Sequence, residues 1–199
     1  MVKIKICGIR RLEDIDIVNK YKPDYIGFVF ADSKRQVSHE LASELKNNLD
    51  SDIVPVGVFV DADPNEIAGL FEGGIIEIAQ LHGDESEEYI NALKERTNNE
   101  LKIIKAIEMS EDNDLSDYDN LNIDYLLLDS GKGSGKTFDW NLIKSDLKKE
   151  FFLAGGINSS NVKEAIEQFH PYAIDLSSSL ETDGFKDEEK VKEIMEVIN

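Results

Sequence analysis

Eight short β-branched runs, separated by stretches long enough to cross back over a sheet, constrain this chain more than any other feature. They lie near Lys3–Cys7, Tyr25–Phe30, Ile53–Val60, Ile75–Ala79, Leu101–Ile107, Tyr125–Asp129, Phe151–Ala154 and Ala173–Leu176. Between them come one-sided apolar stripes, such as Val162, Ala165, Ile166 and Phe169 or Val191, Ile194, Met195 and Ile198, at the spacing of amphipathic helices. Each strand is thus expected to be followed by a helix, and such alternation implies a parallel sheet, whose neighbours are reached only by crossovers. The 199 residues divided among eight runs leave about 25 each, enough for a strand, a helix and two brief loops. The pattern implies an α/β chain: a single-domain (β/α)8 barrel over residues 1–199 with a parallel eight-stranded sheet. An open doubly wound sheet fits the count less readily, and no linker or composition break divides the chain. One segment departs from the pattern: Val2–Ile6 alternates apolar residues with lysine, as a half-exposed antiparallel strand does, unless a barrel floor with acidic neighbours receives those lysines.

Charge narrows the partners. Lys plus Arg number 22 against 41 Asp plus Glu, a formal net charge of -19, which disfavours nucleic acid and anionic membrane surfaces. Acidic stretches such as Glu85–Glu88 and Asp187–Glu189 read as solvated helix faces. No apolar run approaches the roughly 20 residues that span a bilayer, and the N-terminus carries no signal-like stretch, so a cytoplasmic location is expected. The single cysteine, Cys7, excludes an intrachain disulfide and a multi-cysteine metal site.

A barrel predicts that chemically active residues follow the strands, where the loops build the functional face. Cys7-Gly8 follows the first run, Ser33–Arg35 the second, Gln80–Asp84 the fourth, Asp129–Gly135 the sixth, Gly155-Gly156 the seventh and Ser177–Ser179 the eighth. Gly155-Gly156 before Asn158-Ser159-Ser160 offers bare N–H groups and a helix start to an anion. Ser177, Ser178 and Ser179 follow the next strand, and in barrels these two neighbouring loops often hold a phosphate. Cys7 is either a buried small hydrophobe or a reactive thiol at the barrel mouth. Asp129 reads as a turn-forming aspartate or as a carboxylate delivered from the opposite side of the ring. Arg35, one of four arginines, suits a ligand carboxylate or simply a solvated loop. His82 is a proton carrier, a ring-orienting donor or a structural histidine. Ser130–Thr137 ends in Gly-Lys-Thr but has serine where a P-loop needs its first glycine; a connecting loop and a substrate-covering loop are the other readings.

In order along essentially the whole chain, these segments resemble the phosphoribosylanthranilate isomerase family of tryptophan biosynthesis. The resemblance rests on Lys5-Ile-Cys-Gly-Ile9, Gly27-Phe-Val-Phe30 with Ser33-Lys-Arg35, Val56-Gly-Val-Phe59, Gln80-Leu-His-Gly-Asp84, Leu128-Asp129, Gly135-Lys-Thr-Phe-Asp-Trp140, Leu153-Ala-Gly-Gly-Ile157 and Asp175-Leu-Ser-Ser-Ser-Leu-Glu181. It implies an Amadori rearrangement of a phosphorylated small molecule, with Asp129 as general acid and Cys7 as general base. Arg35 would bind the anthranilate carboxylate, His82 and Asp175 other parts of the substrate, and Gly155, Gly156 and Ser177–Ser179 the phosphate. It calls for no metal and no organic cofactor, and a monomer or homodimer fits. Asp129 then needs a raised pKa and Cys7 an accessible thiolate. The chain departs from the family with Ser179 in place of a glycine, Leu176 and Leu180 in place of valines, and Ser134 inside the glycine-rich loop. A different phosphosugar isomerase or epimerase on the same barrel would show aspartate in place of Cys7 or a metal-binding histidine set. A non-catalytic phosphate-binding module would not need Cys7 and Asp129.

Overall fold

The computed structural model describes residues 2–111, 114–130, 140–143 and 147–198. Eight strands, β1 (Lys3–Cys7), β2 (Tyr25–Val29), β3 (Val54–Phe59), β4 (Ile78–Leu81), β5 (Lys102–Glu108), β6 (Tyr125–Asp129), β7 (Phe151–Leu153) and β8 (Ala173–Leu176), follow one another around a closed barrel. All pairings are parallel, and β8 closes on β1 with Lys3 opposite Ala173 and Lys5 opposite Asp175. Helices α1 (Leu12–Tyr21), α2 (His39–Asn47), α3 (Pro64–Glu72), α4 (Glu87–Arg96), α5 (Val162–Phe169) and α6 (Glu188–Ile198) cover the outside. Their starts are written locally: Ser38 and Ser86 accept from Leu41 and Tyr89 N–H groups, and Asp63 caps α3 ahead of Pro64.

The eight-unit reading holds, with three corrections. Among the described residues, β5 and β6 are followed by single 3-10 turns, Leu115–Tyr118 and Trp140–Leu142, rather than α-helices. The strand expected at Ile75–Ala79 begins at Ile78. Ile75 and Ile76 instead donate to the Leu70 carbonyl and close the end of α3 around Gly73-Gly74, so the ladder starts only when Glu77 donates to Pro55. Glu85 does not belong to a solvated face: it is buried and paired with Lys105 at 2.6 Å.

The core has two layers. Outward residues such as Ile4, Ile6, Ile26 and Phe28 pack beneath the helices. Tyr25, Val56, Ile78, Ile104, Leu127 and Phe152 form the interior, where Tyr25 and Tyr125 meet Phe152 edge-on. Lys3 lies over the Tyr25 and Tyr172 rings at 5.5 Å each and 3.9 Å from Asp24, which is where a floor lysine was expected. Lys5 is different: it is fully buried within the barrel, on a strand with parallel neighbours on both sides. Among the described residues, no helix is long and apolar enough to cross a membrane.

Candidate active site

Period-two alternation decides which side chains enter the barrel. On β1 it turns Lys3, Lys5 and Cys7 inward together, and on β4 it brings Gln80 and then His82 beyond the strand end. Asp129 finishes β6 and Asp175 lies on β8. At the carboxyl ends of the strands Cys7, Gln80, His82, Asp129 and Asp175 border one cavity of about 480 Å³. Every candidate site residue read from the sequence lines it: Cys7, Arg35, His82, Asp129 and Asp175 below, and the Gly155-Gly156 and Ser177–Ser179 loops at the rim. The glycine-rich loop, by contrast, falls outside the described residues from 131 to 139, so neither the P-loop nor the covering-loop reading is addressed by the structure.

On the β6 side, Asp129 Oδ1 accepts from the Ser130 N–H at 2.7 Å. Its Oδ2 faces His82 Nε2 at 3.6 Å. Burial lifts the Asp129 carboxyl above the usual aspartate range, Asp175 and Glu108 add to the rise, and His82 and the Ser130 N–H only partly offset it. Burial also holds the His82 ring below its ordinary value, with Asp129 opposing and Lys5 assisting. His82 is therefore a neutral ring near pH 7. Its tautomer follows from its neighbours. Lys5 can only donate, so Gln80 presents Oε1 to it at 2.9 Å and turns its amide nitrogen toward His82 Nδ1 at 3.2 Å. The ring proton then resides on Nε2, pointing at Asp129. Gly155 makes room for this corner: at φ +80 a Cβ there would lie 2.9 Å from Asp129 Oδ1 and 2.6 Å from Ser130 Oγ.

On the β1 side, Cys7 packs against Val29 and Val58 and stands in register with Gly27. Burial pushes its thiol up, while the Lys5 and Lys186 ammonium groups pull it down and Asp175 raises it. In the resting site Cys7 is thus a thiol with two cations at hand to favour its thiolate. The glycine opposite it is a spatial requirement: a Cβ at Gly27 would be 2.6 Å from the Cys7 sulfur and 3.1 Å from its Cα. Gly27→Ala should therefore displace the thiol. We expect kcat to fall about tenfold to a hundredfold with the fold retained, since overpacking costs about 1–3 kcal/mol and a misplacement near 1 Å costs about 10²-fold. Steady-state kinetics beside a circular dichroism melt checks this.

Two candidate anion-binding ends flank the cavity. Arg35 gives Nε and one terminal nitrogen to the two oxygens of Glu181, both at 2.7 Å. Lys186 joins Glu181 at 2.8 Å. Glu181 thereby fixes the guanidinium through one edge, and the edge formed by the two terminal nitrogens remains for a planar carboxylate. At the other end, Gly155 and Gly156 have φ +80 and +68, and Asn158 and Asn161 both donate to the Gly156 carbonyl at 3.1 Å. Ser177 Oγ donates to the Cys7 carbonyl at 3.2 Å and ties the eighth loop to β1. Ser179 does not have the positive φ that a glycine there would suggest, and its buried Oγ has no partner among the described residues.

Four residues of this site received no role in the sequence reading: Lys5, Gln80, Glu181 and Lys186. For Lys5 the signal was parity, because if Cys7 points inward then the residue two before it does too. Gln80 precedes His82 by the same interval. Glu181 and Lys186 belong to a small hairpin, β9 (Glu181–Thr182) and β10 (Phe185–Lys186), whose two-residue strands are too short for any periodicity to mark.

The family model for N-(5'phosphoribosyl)anthranilate (PRA) isomerase matches residues 4–197. The chain is 48% identical to the N-(5'-phosphoribosyl)anthranilate isomerase of Clostridium acetobutylicum over 203 residues, covering 98% of this chain and 97% of that one. It superposes with a TM-score of 0.84 and 34% identity on a phosphoribosylanthranilate isomerase solved with reduced 1-(o-carboxyphenylamino)-1-deoxyribulose 5-phosphate, covering 98% and 97% of the two chains. A TM-score of 0.84 and 34% identity also relate it to monomers generated from the dimeric enzyme of Thermotoga maritima, covering 99% and 98%. With two acid–base candidates between two candidate anion-binding ends, and a family match over nearly its whole length, the chain belongs to the phosphoribosylanthranilate isomerase family.

Proposed function

We propose that this chain isomerises N-(5'-phosphoribosyl)anthranilate to 1-(2-carboxyphenylamino)-1-deoxyribulose 5-phosphate, with Asp129 as general acid and Cys7 as general base. The observation that carries this reading is the placement of a raised carboxyl on β6 and a thiol on β1 in one cavity. The two loops after β7 and β8 take the phosphate through backbone N–H groups and serine hydroxyls, and the free edge of Arg35 takes the anthranilate carboxylate. Holding both ends places the ribose between acid and base.

Protonated Asp129 gives its proton to the furanose ring oxygen as the bond from that oxygen to C1 breaks, leaving an iminium at C1. The iminium acidifies the C2 hydrogen, which the Cys7 thiolate removes; the electron pair flows to C1 and nitrogen to give an enolamine. The enolamine then becomes the ketone, C1 gaining a proton as the C2 hydroxyl gives one up. Each turnover moves one proton from Asp129 to Cys7, so the pair re-equilibrates with water before the next. Asp175, whose Oδ1 is buried without a partner among the described residues, is placed to accept from a ribose hydroxyl, and the His82 Nε2–H steadies the carboxylate left on Asp129.

Every residue in this account comes from one chain, so a monomer and a homodimer both carry complete sites, and the chemistry suits the cytoplasm. Purified protein mixed with freshly generated phosphoribosylanthranilate should extinguish the substrate's fluorescence and yield an isomer of equal mass. Fluorescence that decays no faster than in buffer contradicts the proposal.

A further inference from the structure

Lys5 is a fully buried charge inside the barrel that the reaction scheme leaves unused. Its side chain is fully buried, in a barrel interior where an unpaired ammonium would be lost. Three groups surround it. Asp175 Oδ2 accepts at 2.8 Å, Gln80 Oε1 accepts at 2.9 Å, and Cys7 follows two residues on along the same inward face of β1. An ammonium has three protons, and the carboxylate and the amide each hold one, which fixes the charge beside the face that carries the Cys7 sulfur.

We propose that Lys5 is the positioning residue of the Cys7 base, an ammonium held in place by Asp175 and Gln80 so that the thiolate forms against a buried positive charge. This rests on the assignment of Cys7 as the base. Lys5 does not touch the substrate; it acts through the sulfur. A purely structural lysine would leave the thiol's titration unmoved on removal, whereas this fixed ammonium shares the inward face of β1 with the one thiol in the chain.

The other charged groups facing Cys7 are few. Asp175 on β8 opposes the thiolate, Lys186 on β10 favours it, and Arg35 beyond β2 lies within electrostatic reach. Glu181 partly neutralises the last two through its bonds to both. From β2 and β3 come only Gly27, Val29 and Val58. Lys5 is thus the cation on the sulfur's own strand, and its own charge is secure: burial acts to lower it, but Asp175 and Cys7 more than compensate, and its pKa is raised overall.

The test uses the single cysteine. Protein labelled with carbon-13 at the cysteine Cβ gives one resonance that reports thiol and thiolate, titrated without substrate. In Lys5→Met we expect the midpoint to rise by at least about one pH unit, tenfold in thiolate fraction, with kcat falling about tenfold or more and KM little changed. A midpoint in folded Lys5→Met equal to or below that of the wild type overturns the proposal. If Lys5→Met does not fold, Lys5→Gln decides by the same titration: a higher midpoint supports Lys5, and an unchanged or lower one overturns it. Because the titration needs no substrate, it stands apart from the isomerase reading, which fails only if wild-type protein leaves phosphoribosylanthranilate unconverted.

Discussion

Asp129→Asn is expected to lower kcat/KM on phosphoribosylanthranilate by about two to four orders of magnitude, the contribution of a well-placed general acid, and at the same time to raise the melting temperature near pH 7. Asparagine keeps the shape and the carbonyl oxygen that accepts from the Ser130 N–H, but it has no proton to give the ring oxygen. The stability gain follows from the direction of the carboxyl's shift. Burial, with Asp175 and Glu108 nearby, raises Asp129 in the folded protein above its ordinary value of 3.8, so the native state binds this proton more tightly than the unfolded chain does. As pH rises from the ordinary aspartate range through the raised folded value, the unfolded chain ionises first and the native state loses stability. Near neutrality the unfolded wild type therefore gains from ionising a carboxyl whose anion the folded surroundings disfavour, and asparagine removes that difference. Below about pH 4 both states hold the proton and the two melting curves should converge. Scanning calorimetry of both proteins from pH 4 to 8 reads the effect. An asparagine variant that is active, or one less stable than wild type at pH 7, contradicts the environment assigned to Asp129.

Cys7→Ala should remove the base and leave the two anion-binding ends intact. We expect kcat to fall at least about a hundredfold with KM within a few-fold of wild type, because Cys7 contacts neither the phosphate loops' ligand nor the free edge of Arg35. A large rise in KM with unchanged kcat would instead make Cys7 a binding residue. Cys7→Ser should be nearly as slow, since a hydroxyl is far less acidic than a thiol even beside Lys5.

The barrel was legible because its rule is periodic. The short apolar runs Tyr125–Asp129 and Ala173–Leu176 place the strands with their observed bounds, and the stripe Val162, Ala165, Ile166 and Phe169 places α5. Where the rule failed, a local hydrogen-bond pattern had taken over: Ile75 is as β-branched as any strand residue, yet its N–H is used by Leu70 to end a helix. The site was legible in its chemically distinctive members because they follow strands of one barrel and together resemble one family's motifs; singly, cysteine, aspartate and paired glycines each have other uses. It was not legible in its supporting charges. Lysine at position 5 looks like surface until Asp175, 170 residues away, is known to lie beside it, and Arg35 gives no sign that Glu181 already occupies one of its edges. Such pairings depend on the register with which β8 closes on β1, which no local pattern encodes.

The central claim is that Cys7 and Asp129 work as one acid–base pair on phosphoribosylanthranilate. Its most direct test is the fluorescence decay of freshly generated substrate with wild type, Cys7→Ala, Asp129→Asn and the double variant, each shown to be folded. The account predicts rapid decay with wild type, losses of at least about a hundredfold in each single variant, and a double variant no more than a few-fold slower than the worse single, as for groups that act together. Wild-type protein that leaves the fluorescence unchanged, or single-variant losses that multiply in full in the double variant, would contradict it.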